Sequence, residues 1–400
     1  MTGRQGPFSG KPGPLSGVRA IVTDAETRLG LYVIRSLGRA GCRVTALSNR
    51  ASGTVIGFSS RYAADHIRLP PGDYWETLPS ALEELGPGHD LLMPISAFSI
   101  AVVATSRDRI EPLLSFYIPE LEAFRLASDK RSTTEAGRRA GVPIPEMVRS
   151  PEPAEVADWA EGVRDRLPLV VKFSDDERSG SWAPSERYRI VRTPEELARE
   201  YLRMHDIAAY PLIQEYVEGD GFGFFTVMGP QGEAVGTFCH RRLREYPTSG
   251  GPSTLCESHH DPELVEAGIT LLKALDWRGV AMVEFKQNRS TGEYKLLEIN
   301  PRFWGSLPLA IHCGMDFPLY QAQIAMGMEP TPPVGYPTGR RMRFFFPDLL
   351  AVREEWRSGP KWQVFRRYLG ELLDLSIKDG IFEADDPRPL FTYLAEKVER

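Results

Sequence analysis

The stretch Gly279-Val-Ala-Met-Val-Glu-Phe-Lys-Gln-Asn-Arg-Ser-Thr-Gly-Glu-Tyr-Lys-Leu-Leu-Glu-Ile-Asn-Pro-Arg-Phe-Trp304 decides how the rest of the chain is read. It has the pattern of a β-hairpin. Ala281, Val283 and Phe285 fall on one face of the first strand, with Met282, Glu284 and Lys286 on the other. In the second strand, Leu297 and Ile299 oppose Leu296, Glu298 and Asn300. Ser290, Thr291 and Gly292 form a short loop, with Gly292 suited to a left-handed position. With a three-residue loop and no bulge, Glu284 faces Glu298 and Asn300 lies two residues along the same face. Like charges set opposite in a sheet are unfavourable unless a cation neutralises them. Two carboxylates and an amide oxygen are a hard ligand set that suits Mg²⁺ rather than zinc and leaves positions for substrate phosphates. Pro301 ends the strand, and Arg302 places a planar donor fork beside that site. The plainer alternative is an amphipathic hairpin with its polar face in water.

Glu284 followed by Glu298-Ile299-Asn300-Pro301-Arg302 resembles the metal-binding signature of the ATP-grasp superfamily, in its carboxylate–amine ligase and carbamoyl-phosphate-synthase-like branch. The resemblance covers residues 18–330. It implies that Glu284, Glu298 and Asn300 hold Mg²⁺, or Mn²⁺, against the phosphates of ATP, and that Arg302 contacts the transferred phosphoryl group.

Upstream, strands expected over Val18–Thr23, Arg43–Leu47 and Asp90–Ile95 alternate with helices over Arg28–Ala40, Tyr74–Leu85 and Ile100–Ile110, which argues a parallel α/β sheet. The turn Thr23-Asp24-Ala25-Glu26-Thr27-Arg28-Leu29-Gly30 keeps only the last glycine of a Gly-x-Gly-x-x-Gly loop, so its backbone cannot approach a pyrophosphate and NAD is not expected. The family implies a Rossmann-like pre-ATP-grasp domain here, the loop being either structural or an acceptor-side contact. The expected class is therefore α/β. A disordered leader, 1–17, precedes the pre-ATP-grasp domain, 18–127. A two-lobed ATP-grasp domain of α+β type, 128–330, and a C-terminal helical extension, 331–400, follow.

Lys130 opens a helix capped by Ser128 or Asp129, where a cation opposes the helix dipole unless an anion is near. Lys172 is the one charge in the apolar strand Leu167–Phe173 and needs a partner or a path to the surface. The resemblance makes both lysines phosphate ligands. It makes Ser174–Pro184 the covering loop, although Asp175, Asp176 and Glu177 depart from the glycine-rich form. It assigns the adenine edge to the backbone of Glu215 and Val217 in the segment that holds Gln214 and Tyr216, with Asp220 near ribose. An edge strand of alternating polarity fits the same letters. Pro194–Met204 is expected as a helix with Leu197 and Leu202 inward. The run Arg241-Arg242-Leu243-Arg244 is either a solvated face or, beside a polyphosphate, a clamp: Arg242 for the phosphoryl group, Arg241 and Arg244 for an acidic substrate. Ser249, Gly250 and Gly251 lie in a polar loop suited to acceptor binding.

Four hundred residues, 42% of them hydrophobic and 26% charged, describe a globular enzyme. The net charge of −6 gives no footprint for nucleic acid or membrane. Cys42, Cys239, Cys256 and Cys313 show no metal or disulfide spacing, which points to a reducing cytoplasm. The implied activity is an ATP-dependent ligase. Arg302, Arg242 and Lys172 would serve phosphoryl transfer to a small carboxylate, an amine would displace phosphate, and a homodimer is allowed. A carbamoyl-phosphate-synthase-like enzyme and a non-catalytic ATP-binding module are the alternatives. The chain carries no second ATP-grasp copy for the first and keeps every metal ligand against the second.

Overall fold

The computed structural model describes residues 13–174, 187–248 and 250–398. Its first layer is a four-stranded parallel sheet in the order Ala63–Arg68, Arg43–Ser48, Arg19–Val22, Leu91–Met93. Helix Arg28–Arg39 begins where the Thr27 hydroxyl accepts from the Gly30 N–H at 3.0 Å. Tyr74–Leu85 is helical over the expected span. Ala63–Arg68 is an edge strand absent from the sequence pattern: Ala64, Asp65 and His66 are exposed, so no apolar alternation marks it. The single helix expected at Ile100–Ile110 is two, Ala97–Thr105 and Arg107–Ile110; a capping box between Ser96 and Ser99 starts the first one early. Of the expected leader, residues 1–12 lie outside the described residues. Residues 13–17 are a turn whose Leu15 is buried.

A small antiparallel sheet has the order Met147–Val148, Leu212–Glu215, Leu169–Lys172, Tyr188–Val191. Helix Pro194–His205 covers it. Its inward residues are Leu197, Tyr201 and Met204, spaced by four and three; Leu202, expected inward, is off that face and exposed.

A seven-stranded sheet has the order Tyr294–Asn300, Gly279–Asn288, Gly219–Met228, Ala234–Glu245, Ser253–His259, Arg341–Arg343, Lys378–Asp379. Its last two strands come from the stretch expected as a separate C-terminal extension. Helices Phe345–Ser358 and Lys361–Leu373 lie between them in the chain. Leu31 and Ile34 of the first layer share one apolar core with Phe225, Trp304 and Phe317. The four cysteines are free and buried. Among the described residues, no helix is long and apolar enough to cross a membrane.

Candidate active site

Glu284 and Glu298 are paired across the edge hairpin of the large sheet. The route to that pairing differs from the expected one. Asn288 N–H bonds Glu293 O at 2.9 Å, so the loop holds four residues, 289–292. Leu297 then bulges between the pairs Phe285–Leu296 and Glu284–Glu298. One extra residue in the loop and one in the strand cancel, and the carboxylates still meet. The bulge also switches the face of the preceding residues. Leu296, expected beside Glu298, is buried with Tyr294 and Ile299 instead. The Leu297 carbonyl, freed from regular pairing, accepts from Lys172 Nζ at 3.4 Å.

Three cations surround the two acids. Arg242 Nη2 is 2.5 Å from Glu284 Oε2, and its Nη1 is 3.1 Å from Glu245. Lys130 Nζ is 3.4 Å from Glu298 Oε2. That carboxylate is the anion a first-turn lysine requires, and the helix over Lys130–Arg139 is capped by Asp129, which accepts from Ser132 N–H at 2.7 Å. Burial pushes the Glu284 carboxyl up to about 7; Arg242 opposes the shift and Glu298 adds to it. Burial acts the same way on Glu298, yet Lys130, Lys172 and Arg242 together hold its carboxyl below the usual range. The two carboxyls are driven apart, and as pH falls a proton is taken up first on the Glu284 side.

Asn300 sits opposite Met282. Its Nδ2 lies 3.2 Å from Glu298 Oε1, and its Oδ1 accepts from Arg302 Nη2 at 3.2 Å. Arg302 also donates to Phe303 O at 2.8 Å. A ligand role for Asn300 would turn the amide so that oxygen faces the carboxylates. The donor set fits a divalent metal that prefers oxygen: two opposed carboxylates, otherwise repelling, with an amide next to them. Among the described residues, no group of three His, Cys, Asp or Glu side chains offers a competing metal site.

Between the acidic strand and the strand bearing Arg242 runs Gly219-Asp220-Gly221-Phe222-Gly223, with glycine at every second position. In a strand these three share a face. A Cβ on Gly221 would stand 2.9 Å from Arg242 Cδ, and one on Gly223 would stand 3.0 Å from His240 Nε2. The missing side chains let Arg242 cross to Glu284. His240 is buried, bonded through Nδ1 to Ser306 Oγ at 2.9 Å, with Nε2 unpaired among the described residues. Neither these glycines nor His240 is among the residues expected from the sequence, although the alternation of glycine at 219, 221 and 223 is a visible signal.

The segment proposed for adenine begins in the last two residues of the small-sheet strand Leu212–Glu215 and continues past it. Gln214 is buried in it. The Glu215 N–H donates to Glu146 O at 2.8 Å, and its carboxylate accepts from the Glu146 N–H at 2.9 Å and from Lys295 Nζ at 2.8 Å. Tyr216 lies under Lys286, whose ammonium is 5.2 Å from the ring centre, and Val217 is buried. Asp220 is paired with Arg241 at 2.5 Å, on the exposed rim. Arg244 is not brought to the site: its buried guanidinium binds Asp348 and Glu371, each at 2.7 Å, because a register shift after Arg242 turns it under the C-terminal helices. Gly250 O accepts from the Tyr188 hydroxyl at 2.6 Å, and Gly251 O from Arg242 Nη1 at 3.3 Å, which ties that turn to the site. Ser249 and residues 175–186, most of the proposed covering loop, lie outside the described residues. The Thr23–Gly30 turn closes on itself: Asp24 accepts from Ser96 Oγ at 2.9 Å and Ser99 Oγ at 2.7 Å, and a Cβ on Gly30 would stand 2.4 Å from Asp24 O.

Residues 211–344 match the family model described as ATP-grasp in the biosynthetic pathway with Ter operon. A biotin carboxylase from Nostoc sp. (strain PCC 7120 / SAG 25.82 / UTEX 2576) is 24% identical over 233 residues, which cover 54% of this chain and 49% of that protein. The chain thus spans about half the length of that curated relative. Among solved structures, the biotin carboxylase–βγ-ATP complex from Campylobacter jejuni superposes with a TM-score of 0.66 at 16% identity, covering 81% of this chain and 74% of that one. N5-carboxyaminoimidazole synthetase from Staphylococcus aureus, complexed with ADP, superposes with a TM-score of 0.60 at 14% identity, covering 82% and 81%.

Proposed function

We propose that this chain, a member of the ATP-grasp superfamily, is an ATP-dependent ligase that activates a small carboxylate as its acyl phosphate and joins it to an amine, releasing ADP and phosphate. The observation that carries the reading is the Glu284–Glu298 pair with Lys130, Lys172 and Arg242 gathered on it. It gathers two opposed carboxylates and three cations in a buried place, where a bound divalent cation and a polyanion could each take up one set of partners.

Glu284, Glu298 and Asn300 would hold Mg²⁺, or Mn²⁺, when nucleotide is present; the ion supplies neutralisation of phosphate charge. Lys130, released from Glu298, and Lys172, released from the Leu297 carbonyl, would turn to phosphate oxygens. Arg242 and Arg302 flank the terminal phosphoryl group, where charge is spread over oxygens and positioning does most of the catalysis. Gln214, Glu215, Tyr216 and Val217 bind the base edge, with Asp220 toward ribose. Arg241 and the Gly250–Gly251 turn stand on the acceptor side. The C–N bond forms when amine attacks the acyl carbon and phosphate leaves with the bridging oxygen.

The test is ADP release from ATP and the divalent metal with pooled small carboxylates, bicarbonate among them, and pooled amines. Wild type forms ADP in proportion to one acid, and Glu298→Gln loses at least about 10²-fold in rate. A folded Glu298→Gln protein that makes ADP at the wild-type rate would take the carboxylate pair out of the reaction.

A further inference from the structure

The helical hairpin Phe345–Ser358 and Lys361–Leu373 buries little of its apolar surface. Ala351 and Val352 face inward on the first helix, and Val364 on the second. On the second helix Trp362, Phe365, Leu369, Leu372 and Leu373 are exposed, Trp362 by 70% and Leu373 by 73%. At 3.6 residues per turn these five fall within about 100° of arc. Lys361 lies at one margin of that arc and Arg366 at the other. Leu349, Leu350 and Trp356 of the first helix are exposed too. A continuous apolar face of this size on a folded chain marks a binding surface.

Its charges say what it binds. From residue 345 to 378, all of which are described, the exposed charged side chains are Arg353, Arg357, Lys361, Arg366, Arg367 and Lys378, every one a cation. Asp348 is buried, the other acids of the span are at most half-exposed, and each has a partner. Asp348 and Glu371 hold Arg244, and Glu355 lies against both Arg244 and Arg367. Glu354 accepts from the Thr248 N–H, and Asp374 accepts from the Ser376 N–H. This surface is basic although the chain carries −6 overall.

We propose that the hairpin docks on an anionic lipid surface, its Trp, Phe and Leu side chains entering the headgroup boundary and its arginines and lysines meeting lipid phosphates. Apolar residues on one arc with cations at the margins are the pattern of helices that lie in a bilayer interface. A second copy of this chain is a poor occupant, because it would set these cations against one another with no exposed acid in the span to pair them. The whole-chain charge, which speaks against a membrane partner, averages this local surface away.

The full chain is sedimented with vesicles of phosphatidylcholine alone and of phosphatidylcholine with phosphatidylglycerol, at low and high salt. Binding is expected to the anionic vesicles only and to weaken with salt. Arg353→Gln/Arg366→Gln lowers partitioning about thirtyfold, and Trp362→Ala/Leu373→Ala lowers it as well. All four positions are exposed, so the unfolding midpoints stay at the wild-type value. Three results overturn the proposal: no sedimentation with anionic vesicles at low salt, undiminished binding in both variants, or a dimer in light scattering that Trp362→Ala/Leu373→Ala converts to monomer.

Discussion

His240 sits beside the site as an uncharged ring. Burial, aided by the nearby Arg242 cation, holds its pKa well below the usual imidazole range. The unfolded chain protonates a free histidine near pH 6.5. A base whose folded pKa is lowered contributes stability that is fully present above that pH and is lost as pH falls, because the unfolded state then binds the extra proton. Glu284, raised by burial, acts in the opposite sense between its ordinary range and about 7. The difference between wild type and His240→Asn removes that contribution. Measured by denaturant unfolding from pH 7 down to 5, wild type should lose stability relative to His240→Asn, approaching about 1.4 kcal/mol per pH unit below pH 6. Parallel profiles would mean that His240 is not buried neutral.

At the scale of elements, the hairpin and its glycine-bearing neighbour make the site. The alternation of Val280–Gln287 was legible, and so was the placing of Glu284 opposite Glu298, because side-chain period is a local property. The Leu297 bulge was not. An extra residue in an edge strand leaves no mark in hydrophobicity, and here it moved Leu296 to the other face. Nor was Ser253–His259 recognised as a strand; it followed a turn read as one long loop, and its pairing with Ala234–Glu245 carries two register shifts. Gly221 is where the geometry can be tested. Gly221→Ala puts a methyl carbon 2.9 Å from Arg242 Cδ and 3.2 Å from Glu245 Oε1. Overpacking should cost about 1–3 kcal/mol in stability. With Arg242 displaced from Glu284, acid-dependent ADP formation should fall on the order of 10²-fold. Unchanged turnover in this variant would release Arg242 from the phosphoryl role.

For the whole molecule, the C-terminal residues are part of the large sheet rather than an appendage. Arg341–Arg343 adds a strand beside Ser253–His259, and Phe344 N–H bonds Thr254 O at 2.8 Å. A three-residue strand whose partner lies some eighty positions upstream cannot be read from periodicity, so the tail showed no role in the sequence. Arg244, read there as a substrate residue, joins the helical hairpin to the sheet. Its side chain is 3% exposed and that of Asp348 is 0% exposed. Removing one partner of a buried ion pair leaves an uncompensated charge. Asp348→Ala should therefore lower unfolding stability by about 3 kcal/mol, with Glu355 and Glu371 keeping the loss from being larger, while the KM for ATP stays at the wild-type value. A shift in KM for ATP without a loss of stability would place the Arg244 network in the nucleotide site instead.

The central claim is phosphoryl transfer from the terminal phosphate of ATP to a carboxylate. Glu284, Glu298, Asn300 and Arg302 gather at one end of the hairpin, while Gln214 and Glu215 lie in the small sheet, with Tyr216 and Val217 just past its strand. That separation suits a metal and an arginine at the far end of the nucleotide. The most direct measurement is the product analysis of turnover with carboxylate labelled with ¹⁸O. ADP and inorganic phosphate carrying one label are predicted, because the acid's oxygen becomes the bridge and leaves with phosphate. AMP and pyrophosphate, or unlabelled phosphate from an acid that is consumed, would contradict it.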